Sequence, residues 1–183
     1  MIPTGTTPVV REGVERARSD IAARISPLGF ARTFKGLWTR PHALTIDWVS
    51  VDRHGSSYGA PLTFSVDLRL QLGIDLLDGP MKRGAWGPSS DPAHLRAGRY
   101  HLRFNARSGS TYERCIDDLA RFVSELGEPW FARLAAPEAL VAEFVAQQVP
   151  DARERMDALR SGRVDAATRA ATLEAKGVKA PAC

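Results

Sequence analysis

Four histidines, two cysteines and a serine-rich helix start are the side chains here whose types first suggest chemistry. A metal site built on a helix needs ligands one turn apart, and His42, His54, His94 and His101 offer no pair at that spacing. Three of them fall in predicted turns or loops. The one combination left for a site assembled in space is Asp47, Asp52 and His54, and the spacing favours surface histidines over it. Ser108, Gly109, Ser110 and Thr111 precede a long predicted helix, where free N–H groups and the helix dipole attract anions. No P-loop lysine and no GxGxxG pattern accompanies them, so a plain helix cap, with Ser110 and Glu113 as a capping box, is the simpler reading. A nucleophile needs a base placed beside it. Cys115 falls on the apolar stripe of a predicted helix and is expected to be buried and inert. Cys183 is the last residue, and no GxSxG elbow occurs. These patterns assign no catalytic residue, no metal and no cofactor.

The more informative residues lie on a predicted strand. From 62 to 71, Leu62, Phe64, Val66, Leu68 and Leu70 alternate with Thr63, Ser65, Asp67, Arg69 and Gln71. Period-two alternation of this length predicts a sheet with one buried and one solvated face. Residues 44–53 are read the same way, with Leu44, Ile46 and Trp48 inward and Thr45 and Asp47 outward. The candidate binding surface is therefore Asp47, Asp67, Arg69 and Gln71, a charged cluster on neighbouring strands. Trp86 stands beside it, on a long Gly- and Pro-punctuated segment (75–98) expected to be a loop folding over that face.

The elements that must position these residues follow from the periodicity. Residues 11–25 carry Val14, Ala17, Ile21 and Ile25 at helical spacing, and Ser26-Pro27 ends that helix. Three strands are expected at 30–40, 44–53 and 62–71, and a fourth at 99–105. Tyr112, Cys115, Ile116, Leu119, Phe122, Val123 and Leu126 make a wide apolar stripe that Gly127 is expected to stop. Pro129, Pro137 and Pro150 each open a further helix. Strands first and helices afterwards predict an α+β fold, an antiparallel sheet of about four strands with helices packed on one face. Residues 1–10 are expected to be a flexible N-terminus, 11–160 a single domain, and 161–183 a charged, Ala-rich tail, helical or disordered.

Residues 21–74 carry a helix running into Ser26, Pro27, Leu28, Gly29 and Phe30, then Arg32, then the strand Leu37, Trp38, Thr39, Arg40. Two more strands follow, the second closing on Leu70, Gln71, Leu72, Gly73 and Ile74, and Gly127, Glu128, Pro129, Trp130 and Phe131 form a later aromatic segment. In these features the chain resembles the bacterial family catalogued as domain of unknown function 4304. The resemblance covers about two-thirds of the chain and carries no established activity or catalytic residues. It implies a small bacterial protein, and by analogy with similar folds an immunity-type inhibitor that neutralises a toxin by contact.

Composition bounds the partners. Apolar residues are 44% and charged residues 25% of the 183, a balance that argues against wholesale disorder. Charges interrupt every apolar run before the roughly 20 residues of a membrane span. Residues 1–10 lack the basic start and apolar stretch of a secretory signal. Two cysteines without CxxC spacing fit a reducing, cytoplasmic setting. The net charge of +4 comes from arginines interspersed with acids. The expected function is a protein-binding module rather than an enzyme. The alternatives are nucleic-acid association through Arg96, Arg99, Arg103 and Arg107, and a small-molecule enzyme on the polar sheet face with the loop as lid.

Overall fold

A computed structural model describes residues 6–54, 64–90 and 99–179. Helix α1 (Thr6–Ile25) buries Val10, Val14, Ala17, Ile21 and Ile25, one stripe at three- and four-residue spacing. A tight turn, Ser26–Leu28, follows, and Gly29, in the left-handed region at φ 87°, donates its N–H back to Ser26 O and redirects the chain into the sheet. Strands β1 (Ala31–Phe34), β2 (Leu37–Pro41), β3 (Thr45–His54), β4 (Ser65–Leu76) and β5 (Ala85–Ser89) lie side by side in chain order. Strand β6 (Arg103–Asn105) shares the free edge of β4 with β5, and every pairing is antiparallel. Helices α2 (Tyr112–Phe122), α3 (Glu128–Arg133), α4 (Pro137–Ala146), α5 (Ala152–Arg160) and α6 (Ala166–Ala175) complete the α+β fold.

Several expectations about elements are corrected. The strand expected at 30–40 is a hairpin: Gly36, at φ 126°, reverses the chain between β1 and β2, and its carbonyl accepts Val51 N at 2.8 Å. The loop expected at 75–98 contains β5. Gly84, Gly87 and Pro88 erase any alternation there, but a side chain at Gly87 would run into the Trp130 ring, so the glycine serves close packing. The fourth strand is only Arg103–Asn105, although Leu102 O still accepts Leu68 N at 2.9 Å. No capping box starts α2. Thr111 sits in the left-handed region at φ 61°, its hydroxyl donates to Arg103 O, and Asn105 Oδ1 accepts the Arg107 and Ser108 N–H groups. Gly127 does not stop α2 either. The chain runs through a π-helical turn, Val123–Gly127, straight into α3, and a β-carbon at Gly127 would stand 2.9 Å from Leu72 Cδ1. The C-terminal segment is helical in α6, capped by Asp165, which accepts Thr168 N at 2.7 Å.

Strand β4 alternates as expected within its described residues. Val66, Leu68, Leu70, Leu72, Ile74 and Leu76 are buried in one core with the apolar stripes of α1 and α2, while Ser65, Asp67, Arg69 and Gln71 face the other way. Leu62 and Thr63 lie outside the described residues. Strand β3 does not keep the expected phase. Its register pairs Asp47 with Ile74, Val49 with Leu72 and Val51 with Leu70, and paired residues share a face. Thr45 and Asp47 are therefore on the helix side, and Ile46 and Trp48 on the opposite side. Trp48 lies against Gly73 directly across the ladder. The physical reason is that β3 carries apolar residues in both phases, so its alternation could not choose a face; pairing with β4 chooses it.

Cys115 is fully buried on the α2 stripe. Burial, with the negative charges of Asp118 and Asp67 adding to it, pushes its thiol up to about 12, so it is protonated at neutral pH. A Cys183→Ser variant leaves Cys115 as the sole thiol. It should resist a thiol-disulfide reagent in buffer and react in full once denaturant unfolds the chain. Rapid labelling in buffer would contradict this burial.

Candidate functional site

Turning Asp47 to the helix side places it in a group of polar residues that alternation did not assemble. Asp47 is buried, and its Oδ2 accepts a hydrogen bond from Arg40 Nε at 3.0 Å, meets His42 Nε2 at 2.8 Å and forms an ion pair with Arg40, whose Nη2 is 2.9 Å away. Arg40 is the direct ladder partner of Asp47, which is why the two meet. Its remaining nitrogen, Nη1, donates to Leu28 O at 2.7 Å and to Glu128 Oε2 at 3.1 Å, and its guanidinium lies over the rings of Phe30 and Phe131. Glu128 is at the start of α3, so this guanidinium ties the sheet to the helical layer. Such a fork, held by carboxylates on two sides and by aromatic faces, has little freedom left to lose on binding.

These residues form one wall of a cavity of about 370 Å³ between the end of the sheet and α3, α4 and α5. The other walls are mainly apolar: Leu44, Ile74, Phe131, Leu134, Leu140 and Met156. Ala132 and Ala135 sit at the cavity as small, exposed residues. This size falls within the usual range of small-molecule sites, and a mostly apolar lining with a few converging polar groups is their usual composition. On the polar wall two carboxylates face one guanidinium, so acceptors outnumber donors. The Asp47 contact through Nε2 orients the His42 imidazole, which is about half exposed to solvent.

The other expected site residues separate from Asp47. Asp67, Arg69, Gln71 and Trp86 share the face opposite the helices, Trp86 pairing with Gly73 and Ser89 with Gln71 across β4 and β5. The expected charged cluster of Asp47, Asp67 and Arg69 is therefore not formed, because the sheet stands between the first and the other two. Asp67 is instead held by Arg103, whose Nη2 reaches Asp67 Oδ2 at 3.1 Å, and Arg69 approaches His54 at 3.5 Å. Trp86 is half exposed. Its backbone N–H donates to Gln147 Oε1 and its carbonyl accepts from Gln147 Nε2, both at 2.8 Å. Of the arginines noted for nucleic acid, Arg99 pairs with Glu125, Arg103 with Asp67, and Arg107 stacks on Phe64. Arg96 and His94 lie outside the described residues. The N–H groups of Arg107 and Ser108 are taken by Asn105, and the Ser110 N–H by Ser108 Oγ.

Among the described residues no group of three or more His, Cys, Asp or Glu is placed to hold a metal ion, and no helix is long and apolar enough to cross a membrane. Sequence reasoning missed Arg40, His42 and Glu128 as companions of Asp47. The available signal was Asp47 itself, a carboxylate within a run of large apolar residues, which demands a partner if it is buried. Comparison with protein-family models, curated proteins and solved structures gives no match.

Proposed function

We propose that the protein is a small-molecule-binding module whose site is the cavity beside Arg40, His42, Asp47 and Glu128. It takes a compound with an apolar body and a polar end that donates hydrogen bonds. The observation that carries this reading is the pairing of a 370 Å³ apolar cavity with a polar wall already locked by its own hydrogen bonds. A preorganised wall needs no ordering when the ligand arrives, and its excess of acceptors selects the ligand's polar end. Thermal unfolding measured with a panel of apolar amines, alcohols and acids of matched size tests it. Amines and alcohols should raise the midpoint, with stabilisation of about 2.7 kcal/mol when the ligand stands at 100 times its Kd. An Ala135→Phe variant, which places a ring at the cavity from an exposed position, should fold and lose the shift. A panel that moves both chains alike, or neither, would refute the assignment.

A protein-contact function is the second reading, and Trp86 supports it. A half-exposed indole, clamped by its backbone on the sheet face it shares with Gln71 and Arg69, has the composition of an interface anchor. An immunity-type role for the chain belongs to this reading. Photo-crosslinking from Ser89 to a purified candidate partner should form an adduct that Trp86→Ala abolishes; an adduct unaffected by that substitution would count against it.

A further inference from the structure

The sheet face opposite the cavity holds a second arrangement. Trp48 lies over Gly73, and Trp86 meets it edge-on with ring centroids 5.5 Å apart at 90°. Over the Trp48 ring, at 5.2 Å, stands the Nζ of Lys176, and that same ammonium is 2.5 Å from Asp75 Oδ2. One indole face and a carboxylate hold the ammonium, with a second indole edge-on to the first, and these are the elements of a cation-recognising aromatic site. Trp48 is 8% exposed and its Nε1 has no hydrogen-bond partner among the described residues. The same holds for Thr39 Oγ1, 1% exposed and directly paired with Trp48 across the ladder.

Lys176 follows α6, whose one buried residue is Thr172, accepting Gly79 N at 3.0 Å. Further ties among the described residues are Arg169 to Leu159 O and the Lys176–Asp75 pair, and Leu173 and Val178 pack partly buried against the core, with Gly177 close to Phe34. Trp48 and Gly73 are fixed by the central strands, and Trp86 by Gln147. The platform belongs to the central strands and its cover is one partly exposed lysine side chain, so exchange of that side chain requires less rearrangement than movement of the platform.

We propose that Trp48, Trp86 and Asp75 form a binding site for an organic ammonium group, occupied in cis by Lys176, which a ligand must displace. The site is separate from the cavity and does not depend on its assignment. Choline and its uncharged isostere 3,3-dimethylbutan-1-ol are the probes, with tryptophan fluorescence as the readout and far-ultraviolet circular dichroism as the check on folding. Lys176→Ala, with its platform vacated, should bind choline at least tenfold more tightly than the native chain. The isostere should bind this variant at least tenfold more weakly than choline does. Adding Asp75→Asn should remove at least tenfold of the choline affinity. A folded Lys176→Ala chain that ignores choline, or binds the two probes equally, overturns the proposal and leaves Lys176 as a structural contact. A second measurement uses the native chain and decides the matter if the variant does not fold. Acetylation of Lys176, followed by peptide mass spectrometry, should speed up at least threefold in saturating choline and not in the isostere. An unchanged rate overturns the proposal equally.

Discussion

Replacing Arg155 by Met should cost the fold about 3–5 kcal/mol, the usual penalty for stripping one partner from a buried ion pair. Arg155 on α5 and Asp78 just beyond β4 meet through two hydrogen bonds, Nε to Oδ2 at 2.7 Å and Nη2 to Oδ1 at 3.0 Å, and both side chains are more than nine-tenths buried. Arg155 also donates to Arg83 O at 2.9 Å, so one guanidinium joins the sheet's end, the following turn and the helical layer. Methionine keeps most of the volume and abandons the carboxylate. Burial alone would push the Asp78 carboxyl up, but the hydrogen bonds and charge of Arg155, with Lys82 adding to them, hold it below the usual carboxylate range. A carboxyl depressed in the folded state contributes stability in full above its unfolded value, about 4, and loses it as pH falls through the folded value. The gap between native and Arg155→Met chains in urea unfolding should therefore be largest near neutral pH and shrink below about pH 4. A gap that is small at pH 7, or that grows in acid, would contradict the pairing.

The second large effect is expected at Gly73. A β-carbon there would stand 2.1 Å from Trp48 Cζ2 and 2.9 Å from the Ala85 carbonyl oxygen, both in the interior of the sheet. The indole cannot slide away freely, since Trp86 and Lys176 bracket it. Gly73→Ala should destabilise by about 1–3 kcal/mol, the range for overpacking, and shift the tryptophan emission as Trp48 moves. In a Trp48→Ala background the added methyl should cost much less, because its nearest clash is gone. The two substitutions would then be strongly non-additive. Additive costs in equilibrium unfolding would show that Trp48 does not press on Gly73.

What the sequence reveals and what it withholds follow from the reach of each signal. The β4 alternation and the α2 stripe are local patterns imposed by one buried face each, and both appear in the fold at the residues that carry them. The phase of β3 was not legible, because Ile46, Trp48, Val49 and Val51 are buried on two faces of the same strand. The hairpin at Gly36 and strand β5 were hidden by glycines and proline that usually mark breaks. Here they permit a reversal in one case and close packing in the other. The candidate site was legible only in part. Trp86, Gln71, Arg69 and Asp67 do share a face. Asp47 belongs with Arg40 and with Glu128, and Arg40 and Glu128 are 88 positions apart, a separation that no periodicity encodes.

The amide of Gln147 has a consequence for the sheet as a whole. With Trp86 in its ladder position opposite Gly73, its peptide groups point outward from the last strand, and the glutamine side chain fills both slots. A single residue thus imitates the first rung of a neighbouring strand. Open rims of this kind invite other chains to add on, and natural folds blunt them in various ways. In this fold the rim is plugged from within, so growth of the sheet by edge-to-edge self-association is blocked at Trp86.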